Sequence, residues 1–539
     1  FMPPRPCLPP GPSSGRGSVA RLAFRRPISL VLLLATAMLG GCFTMPRTLP
    51  EAPPKAVRFA LEPTPDNRLD GLSRELLADH PEEESGFLML SNNADALRWR
   101  LLLADMAEVT LDMQYYVWKA DASADLLLQR VIRAADRGVR IRLLVDDITL
   151  MGSDPAVAAL SRHPQIEIRL FNPVEGRNRS PLLRGLEFVG KIEQLNHRMH
   201  NKLMVADNRL AIVGGRNIGN EYFGLNPKQN FVDFDVLAVG EIVPRIAFSF
   251  DLFWNSDGAY PGEGLIGNHP DPGLLQELRN VLDEKIEDHR EALAAFGGEA
   301  LDAERMLATL EAELHTGSAD VIYDRPLVGK DMPPVQLIES LRKLTRDARK
   351  EILASTPYLV PDEENYMAIA ELVGRGVQVA VLTNSLGATN HPIVHSGYKK
   401  HRRRVLETGV ALFEFRRDAQ PDESPDTPPV TAKYFGLHAK LIVIDRRVVF
   451  VGSLNLDPRS IYVNSEVGLL IDSPELAEAI TIVFENLVAP ENSWQVRKDE
   501  DNRLAWHAGA AVRKSEPPSS LMRRFQAWFF GLFSLDEHL

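Results

Sequence analysis

Cysteine is almost missing: the 539 residues contain two, Cys7 and Cys42, so no disulfide framework holds the fold. A basic excess is missing too. The chain has 61 Lys+Arg against 73 Asp+Glu, a net charge of −12. Residues 1–41 hold five arginines (Arg5, Arg16, Arg21, Arg25, Arg26) and no acid, so the other 498 residues carry 56 basic against 73 acidic groups, or −17. A chain this acidic gains little from counterion release, which disfavours nucleic acid as the main partner. With 45% hydrophobic and 25% charged residues, the composition is that of a globular protein, neither disordered, collagen-like nor polytopic. At about 150 residues per domain, two to four folded units are expected.

The amino terminus reads as an address. Arg21, Arg25 and Arg26 precede an uncharged apolar run, Ile28–Leu39, too short to span a bilayer and suited to a secretory h-region. The run ends in Leu39-Gly40-Gly41-Cys42, which resembles the lipobox of bacterial lipoproteins. That resemblance implies cleavage before Cys42, diacylglycerol on its thiol and a firm acyl anchor. Phe43, where Asp would retain a lipoprotein in the inner membrane, permits export to the outer one. The other reading is a plain signal peptide or uncleaved anchor, with Cys42 incidental. We expect a signal peptide over residues 1–41, a Pro-rich tether over 42–80 and a body in the periplasmic cell envelope.

The body contains one unit twice. Val109–Val117 alternates like a strand, Ala124–Arg137 carries a helical stripe, and Val139–Val145 is a short apolar strand. Ile352–Ala354, Asn365–Arg375 and Val377–Leu382 repeat that order. Arg137-Gly138-Val139 is answered by Arg375-Gly376-Val377 at an offset of 238 residues. The same offset relates His200-Asn201-Lys202…Asp207 to His438-Ala439-Lys440…Asp445, both His-x-Lys-x4-Asp. Gly214-Gly215-Arg216-Asn217 and Gly452-Ser453-Leu454-Asn455 follow at equal distances. One such match arises by chance; two at the offset of an independent repeat do not. Each motif precedes two apolar strands, which would carry the His and Lys to a pseudo-twofold junction.

The doubled motif resembles the signature of the phospholipase D superfamily, and the likeness runs from about Gly86 to Ala489. Within it the sequence looks closest to bacterial cardiolipin synthases of the C-type branch. The residues behind this are Gln114-Tyr115-Tyr116-Val117-Trp118, Gly214–Phe223, Thr383-Asn384-Ser385-Leu386, His395-Ser396-Gly397-Tyr398 and Leu456-Asp457-Pro458-Arg459-Ser460. Asn220, where many relatives carry Asp, and the lipobox itself are departures. The implied fold is α/β: two phospholipase D-like sandwich halves, each a mixed sheet flanked by helices, packed as a pseudo-twofold dimer within one chain. The halves are expected over residues 81–262 and 319–490. A helical acidic linker over 263–318 would bridge them, and a tail would occupy 491–539.

The implied chemistry uses two imidazoles about one phosphorus. One attacks in line to give a phosphohistidine, and the other protonates the leaving oxygen, then activates the acceptor. Following the family tendency, His200 is taken as nucleophile and His438 as acid. Lys202 and Lys440 would neutralise the non-bridging oxygens, with donors from Asn217, Asn455 and Ser453, and no metal or other cofactor is needed. Glu466 matches a family carboxylate that orients a catalytic His, and Asp235 is the candidate for the other. Asp207 and Asp445, though part of the signature, are expected to brace loops rather than touch phosphorus. His197 is read as structural.

Other segments have two readings each. Lys399–Arg404 suits lipid phosphates or a solvated helix face. Asp418–Pro429 is a lid or a mobile insertion. The tail 521–539 sets Arg523 and Arg524 beside Phe525, Trp528, Phe529, Phe530 and Phe533, which suits an interfacial helix or one packed on the body. The leading function is a phosphatidyltransferase that forms cardiolipin from phosphatidylglycerol, with phosphatidylethanolamine as a second donor. A hydrolytic phospholipase D, a nuclease and a non-catalytic envelope binding protein follow in that order. Phospholipids and a membrane surface are the expected partners.

Overall fold

In the computed structural model, the described residues are 49–65, 67–150, 152–174, 197–297, 302–326, 336–517 and 519–531. The signal segment, Cys42 and the tail beyond residue 531 lie outside them.

The first half contributes β1 (Ser85–Leu90), β2 (Thr110–Tyr115), β3 (Arg140–Asp146), β4 (Ile166–Phe171), β5 (Leu203–Ala206), β6 (Leu210–Gly214), β7 (Gln229–Val232), β8 (Asp235–Gly240) and β9 (Ala259–Pro261). The second contributes β10 (His315–Tyr323), β11 (Glu351–Ser355), β12 (Gln378–Asn384), β13 (Ala411–Phe415), β14 (Tyr434–Leu437), β15 (Leu441–Ile444), β16 (Val448–Gly452), β17 (Val467–Asp472), β18 (Ser493–Lys498), β19 (Leu504–Ala508) and β20 (Ala511–Arg513). Neighbouring strands run β1-β8-β6-β5-β2-β3-β4 in one half and β10-β17-β16-β15-β11-β12-β13 in the other. The order is the same, as the sequence repeat requires. β2–β3–β4 and β11–β12–β13 are parallel and their other in-sheet pairings antiparallel, so both sheets are mixed.

The repeat extends to local chemistry. Asp121 and Asp362 cap the helices Ala122–Asp136 and Glu363–Gly374 through their side chains. Gly138 (φ 99°) and Gly376 (φ 88°) end those helices in the left-handed region, where a Cβ would be strained. The hairpins β5–β6 and β15–β16 turn on Asp207-Asn208 and Asp445-Arg446, all four with φ between 49° and 54°, a geometry that matches strand twist.

The junction is tighter than two domains joined by a spacer. Ser85–Phe87 of β1 pairs antiparallel with His315–Gly317 of β10, while Ser318–Tyr323 of β10 pairs with β17. One sheet of 18 strands results. β7 and β14 form a separate parallel pair across the halves. The two halves share one apolar core, to which Val213, Phe250 and Trp254 of the first and Val443, Leu469 and Phe484 of the second belong. Each such side chain contributes about 1.5–3 kcal/mol on burial.

Four expectations are corrected here. The segment expected as a tether over 42–80 is in part packed on the body: Arg68–Leu76 is a helix that buries Leu69 in the first half's core, and the amide of Ala60 donates to Asp251 (2.8 Å). The helices Leu274–Asp288 and Ala303–Glu313 do not bridge the halves: the first packs on Ala122–Asp136 and Asp154–Leu160, and the second buries Met306 and Leu310 in the first half's core. β10 is the bridge. The second sheet does not stop at residue 490, because β18 pairs with β13 and carries β19 and β20 beyond it. Asp418–Pro429 is neither a lid nor a mobile insertion but a strap fixed to the opposite half. Thr427 donates to the carbonyls of Gly224 (3.0 Å) and Phe223 (2.8 Å), and Asn93 donates to that of Pro425 (2.7 Å).

The basic run on helix Pro392–Glu407 is largely neutralised. Arg402 is buried against Glu414 (2.7 Å) and Glu516 (2.9 Å), Lys399 reaches Glu516 at 3.4 Å, and Arg404 pairs with Glu363. The helix Leu521–Gly531 packs along Pro392–Glu407. Among the described residues no helix is long and apolar enough to cross a membrane.

Candidate active site

His200 and His438 each begin the short segment that leads into an inner strand, β5 or β15. Each is secured by the other half. The amide of His200 donates to Ser465 O (2.9 Å), and the amide of Ser465 donates to Arg198 O (2.9 Å). The amide of His438 donates to Val232 O (2.8 Å), the last residue of β7. This exchange of backbone bonds brings both imidazoles to the seam.

The side chains are exchanged in the same way. His200 Nδ1 lies 2.8 Å from Glu466 Oε2, and His438 Nδ1 lies 2.6 Å from Asp233 Oδ2. With each Nδ1 engaged by a carboxylate, the orientation of each ring is fixed. Asp235, the sequence-based candidate for the second histidine, does not serve it. It binds Arg100 (2.8 Å) and Arg216 (3.4 Å), and Oδ1 accepts from the amide of Arg216 (3.1 Å). A one-residue step along a strand turns a side chain to the opposite face, so two residues return it to the same face one pleat further on. Asp235 is already inside β8, whereas Asp233 stands in the gap between β7 and β8.

The equivalence of Asp233 and Glu466 shows in the backbone pairing. The amide of Gly215 donates to Phe234 O (2.9 Å) and that of Ser453 to Val467 O (2.9 Å). These pairings make Asp233 and Glu466 equivalent, one position before each acceptor. The spacing from motif asparagine to carboxylate hides it, because Asn217–Asp233 is five residues longer than Asn455–Glu466.

Lys202 and Lys440 are buried beside the motif histidines. Lys440 Nζ lies 2.9 and 3.1 Å from the ring nitrogens of His438, and each lysine also donates to the carbonyl of its own motif histidine. Burial pushes Lys440 down to about 8 and Lys202 well below the ordinary lysine range. Both histidines are held neutral. His438 is lowered to about 3 and His200 well below its usual value, first by burial and then by the neighbouring ammonium groups. An entering phosphodiester anion offsets that positive charge and raises both. The carboxylates differ: burial raises Glu466 to about 8, whereas at Asp233 the pull of His438, Lys440 and Arg216 overcomes burial and holds it far below the usual range.

The walls differ as well. Tyr116 meets His200 edge-on at 4.9 Å; Tyr222 meets His438 edge-on at 5.2 Å, with Phe231 stacked on it at 5.3 Å. Residue types alone gave these aromatics no role. Asn217 and Asn455 are not simple phosphate donors. Asn217 accepts from Val117 N (3.0 Å) and donates to Tyr222 OH (3.1 Å), while Asn455 donates to Ser460 Oγ (3.1 Å). Ser453 donates to Glu466. Asp324 supports that carboxylate from behind, accepting from the amide of Glu466 at 3.1 Å.

Asp207 and Asp445 lie at the far ends of β5 and β15. Asp207 accepts from the amides of Glu108, Val109 and Thr110 at 2.8–3.0 Å, and Asp445 from those of Arg349, Lys350 and Glu351 at 2.7–3.2 Å. Both carboxylates hold loop backbone, away from the histidines. His197 Nδ1 is 2.8 Å from Val463 O, a further tie across the seam. Among the described residues no group of three or more His, Cys, Asp or Glu is set to hold a metal ion.

Fold and site together are those of a phospholipase D-like enzyme, with one His-x-Lys motif from each half at a shared seam. The family model described as "Cardiolipin synthase, PLD-like domain" matches residues 102–254 and 341–488, one match in each half. The chain is 34% identical over 85% of its length to cardiolipin synthase C of Escherichia coli, covering 96% of that protein. It is 23% identical over 74% of its length to the cardiolipin synthase of Oceanobacillus iheyensis, covering 70% of it. Among solved structures, the phosphatidylserine synthase of Haemophilus influenzae superposes with a TM-score of 0.54 at 13% identity, covering 88% of this chain and all of that one. The protein belongs to the cardiolipin synthase family of PLD-like enzymes.

Proposed function

We propose that this enzyme makes cardiolipin by transferring a phosphatidyl group between two phospholipids. One observation carries the reading: each motif histidine is held by a carboxylate from the opposite half, at 2.8 and 2.6 Å, around two buried lysines. In the first step His200 Nε2 attacks phosphorus of one phosphatidylglycerol. The P–O bond to the headgroup glycerol breaks, and His438 gives that oxygen its proton. In the second step His438 takes the proton of a glycerol hydroxyl on a second phosphatidylglycerol. The freed oxygen attacks phosphorus, the P–N bond breaks, and cardiolipin leaves with His200 restored. With phosphatidylethanolamine as donor, ethanolamine leaves in place of glycerol.

The assignment of roles has physical support. Ionised Asp233 favours an imidazolium at His438, the group that must carry a proton to the leaving oxygen. Glu466, pushed up to about 8, gives His200 no comparable drive to become cationic, so it remains the neutral nucleophile. Lys202 and Lys440 lie where charge develops on the phosphoryl oxygens. The histidines are only 6% and 5% exposed, and a site that excludes water favours a lipid alcohol over hydrolysis.

The anchor belongs to the same reading. Lipidation of Cys42 would tether the body to the cell envelope with its catalytic half-sites on the periplasmic side. Incorporation of labelled fatty acid, lost in Cys42→Ala, is the expected result. The deciding test of function is product identification from purified phosphatidylglycerol. Cardiolipin plus glycerol supports transfer, whereas phosphatidic acid as sole product would replace it with the hydrolytic alternative.

A further inference from the structure

We propose that the helix Leu521–Gly531 is a docking element for an anionic phospholipid surface and turns the catalytic edge of the protein toward it. This deepens the reading of a phospholipid-processing enzyme and rests on it. Met522, Phe525 and Trp528 recur every three residues on this helix and are 65%, 56% and 61% exposed. Apolar side chains this large and this exposed in one stripe mark an interaction surface.

The helix is a fixture, not a loose tail. Before it, Glu516 is held by Arg402 (2.9 Å) and His395 (3.4 Å) of the helix Pro392–Glu407. Within it, Arg523 turns inward and donates to the carbonyls of Gly387 and Leu386, with its guanidinium 4.9 Å from the Tyr434 ring. Tyr434 opens β14, and the last residue of that strand, Leu437, precedes His438. Asn384 brackets Leu437 with bonds of 2.7 and 2.9 Å, at the start of the loop that Arg523 grips. The anchor of the exposed stripe is therefore a few bonded contacts from a catalytic histidine.

Charge selects the occupant. The guanidinium of Arg417 also lies over the Tyr434 ring, 5.1 Å from its centroid; Lys433, next in the chain to that tyrosine, is exposed, and so is Arg524 on the helix. This cationic rim stands on a chain of net charge −12. Cations beside aromatic and aliphatic side chains match a bilayer interface with anionic headgroups, where aromatic rings settle at headgroup depth.

The test uses the full-length chain carrying Cys42→Ser, so that no acyl anchor contributes. Sedimentation with vesicles of equal parts phosphatidylglycerol and phosphatidylcholine is compared with Phe525→Ser/Trp528→Ser and Arg524→Glu. The double variant is expected to lose at least about tenfold in vesicle partitioning. Arg524→Glu is expected to weaken binding to these vesicles but not the residual binding to pure phosphatidylcholine. In the unsubstituted helix, hydrogen exchange over residues 521–531 should slow when vesicles are added, a readout that needs no variant to fold. Unchanged partitioning in both variants, equal binding to neutral vesicles, or lipid-free self-association abolished by the double variant would each overturn the proposal. Turnover of a short-chain phosphatidylglycerol below its micelle concentration is measured in parallel. Its absence counts against the enzymatic reading, whereas turnover without helix-dependent vesicle binding counts against this one alone.

Discussion

Replacing Asp233 by Asn separates the carboxylate that serves catalysis from the one that serves the fold. The substitution keeps shape and removes charge from the group 2.6 Å from His438 Nδ1. An amide there donates as readily as it accepts, which favours the tautomer with the proton on Nε2 and removes the support for an imidazolium. A positioned general acid–base group contributes about 10²- to 10⁴-fold, so loss of the support for the imidazolium should lower kcat by about two to four orders of magnitude. Asp235→Asn is the control. It strips the counterion from Arg100 and Arg216, both buried, so it should lower the unfolding temperature while the folded enzyme keeps kcat within a fewfold of the parent. Phosphatidylglycerol turnover by both variants, each normalised to its folded fraction, measures the contrast. If Asp235→Asn loses more kcat than Asp233→Asn, the exchange of carboxylates between the halves is not the catalytic arrangement.

Three further outcomes follow from the same geometry. Gly215→Ala would place Cβ 2.1 Å from Asp233 Oδ1; a shift of that carboxylate by about 1 Å costs about a hundredfold in turnover. Asp207→Ala removes the acceptor of three backbone amides. At about 1 kcal/mol per bond it should destabilise the protein by about 3 kcal/mol, with kcat of the folded fraction unchanged. Lys440, lowered to about 8, must be protonated to meet phosphate, so kcat/KM should fall as pH rises through about 8. That limb should persist in Glu466→Gln, which removes the other group titrating there.

Much of this architecture was legible in the sequence because the chain states it twice. The offset of 238 residues between the motifs implied equivalent strands, and the structure pairs them in the same order. Glu466 came from the family resemblance, and it stands beside His200. The repeat did not lead to Asp233, because the stretch from Asn217 to Asp233 is five residues longer than that from Asn455 to Glu466. Only the backbone bonds of Gly215 and Ser453 restore the correspondence. The bridging role of β10 was hidden for a different reason: its two ends pair with different halves, and no local pattern announces a strand's partners. The acidic composition of Leu274–Asp288 suggested a spacer, yet Leu282 is buried against the first half. The strap Asp418–Pro429 reads as a loose loop by composition, but its hydrogen bonds run to residues about 200 positions away.

The central claim is that one imidazole takes the phosphatidyl group while the other handles the proton. It is tested most directly by trapping the covalent intermediate from phosphatidylglycerol labelled at phosphorus. Acid-labile, alkali-stable label should appear on His200, form more slowly when His438, its proton donor, is replaced by Ala, and vanish in His200→Ala. Label found on His438, or cardiolipin still formed by His200→Ala, would contradict it.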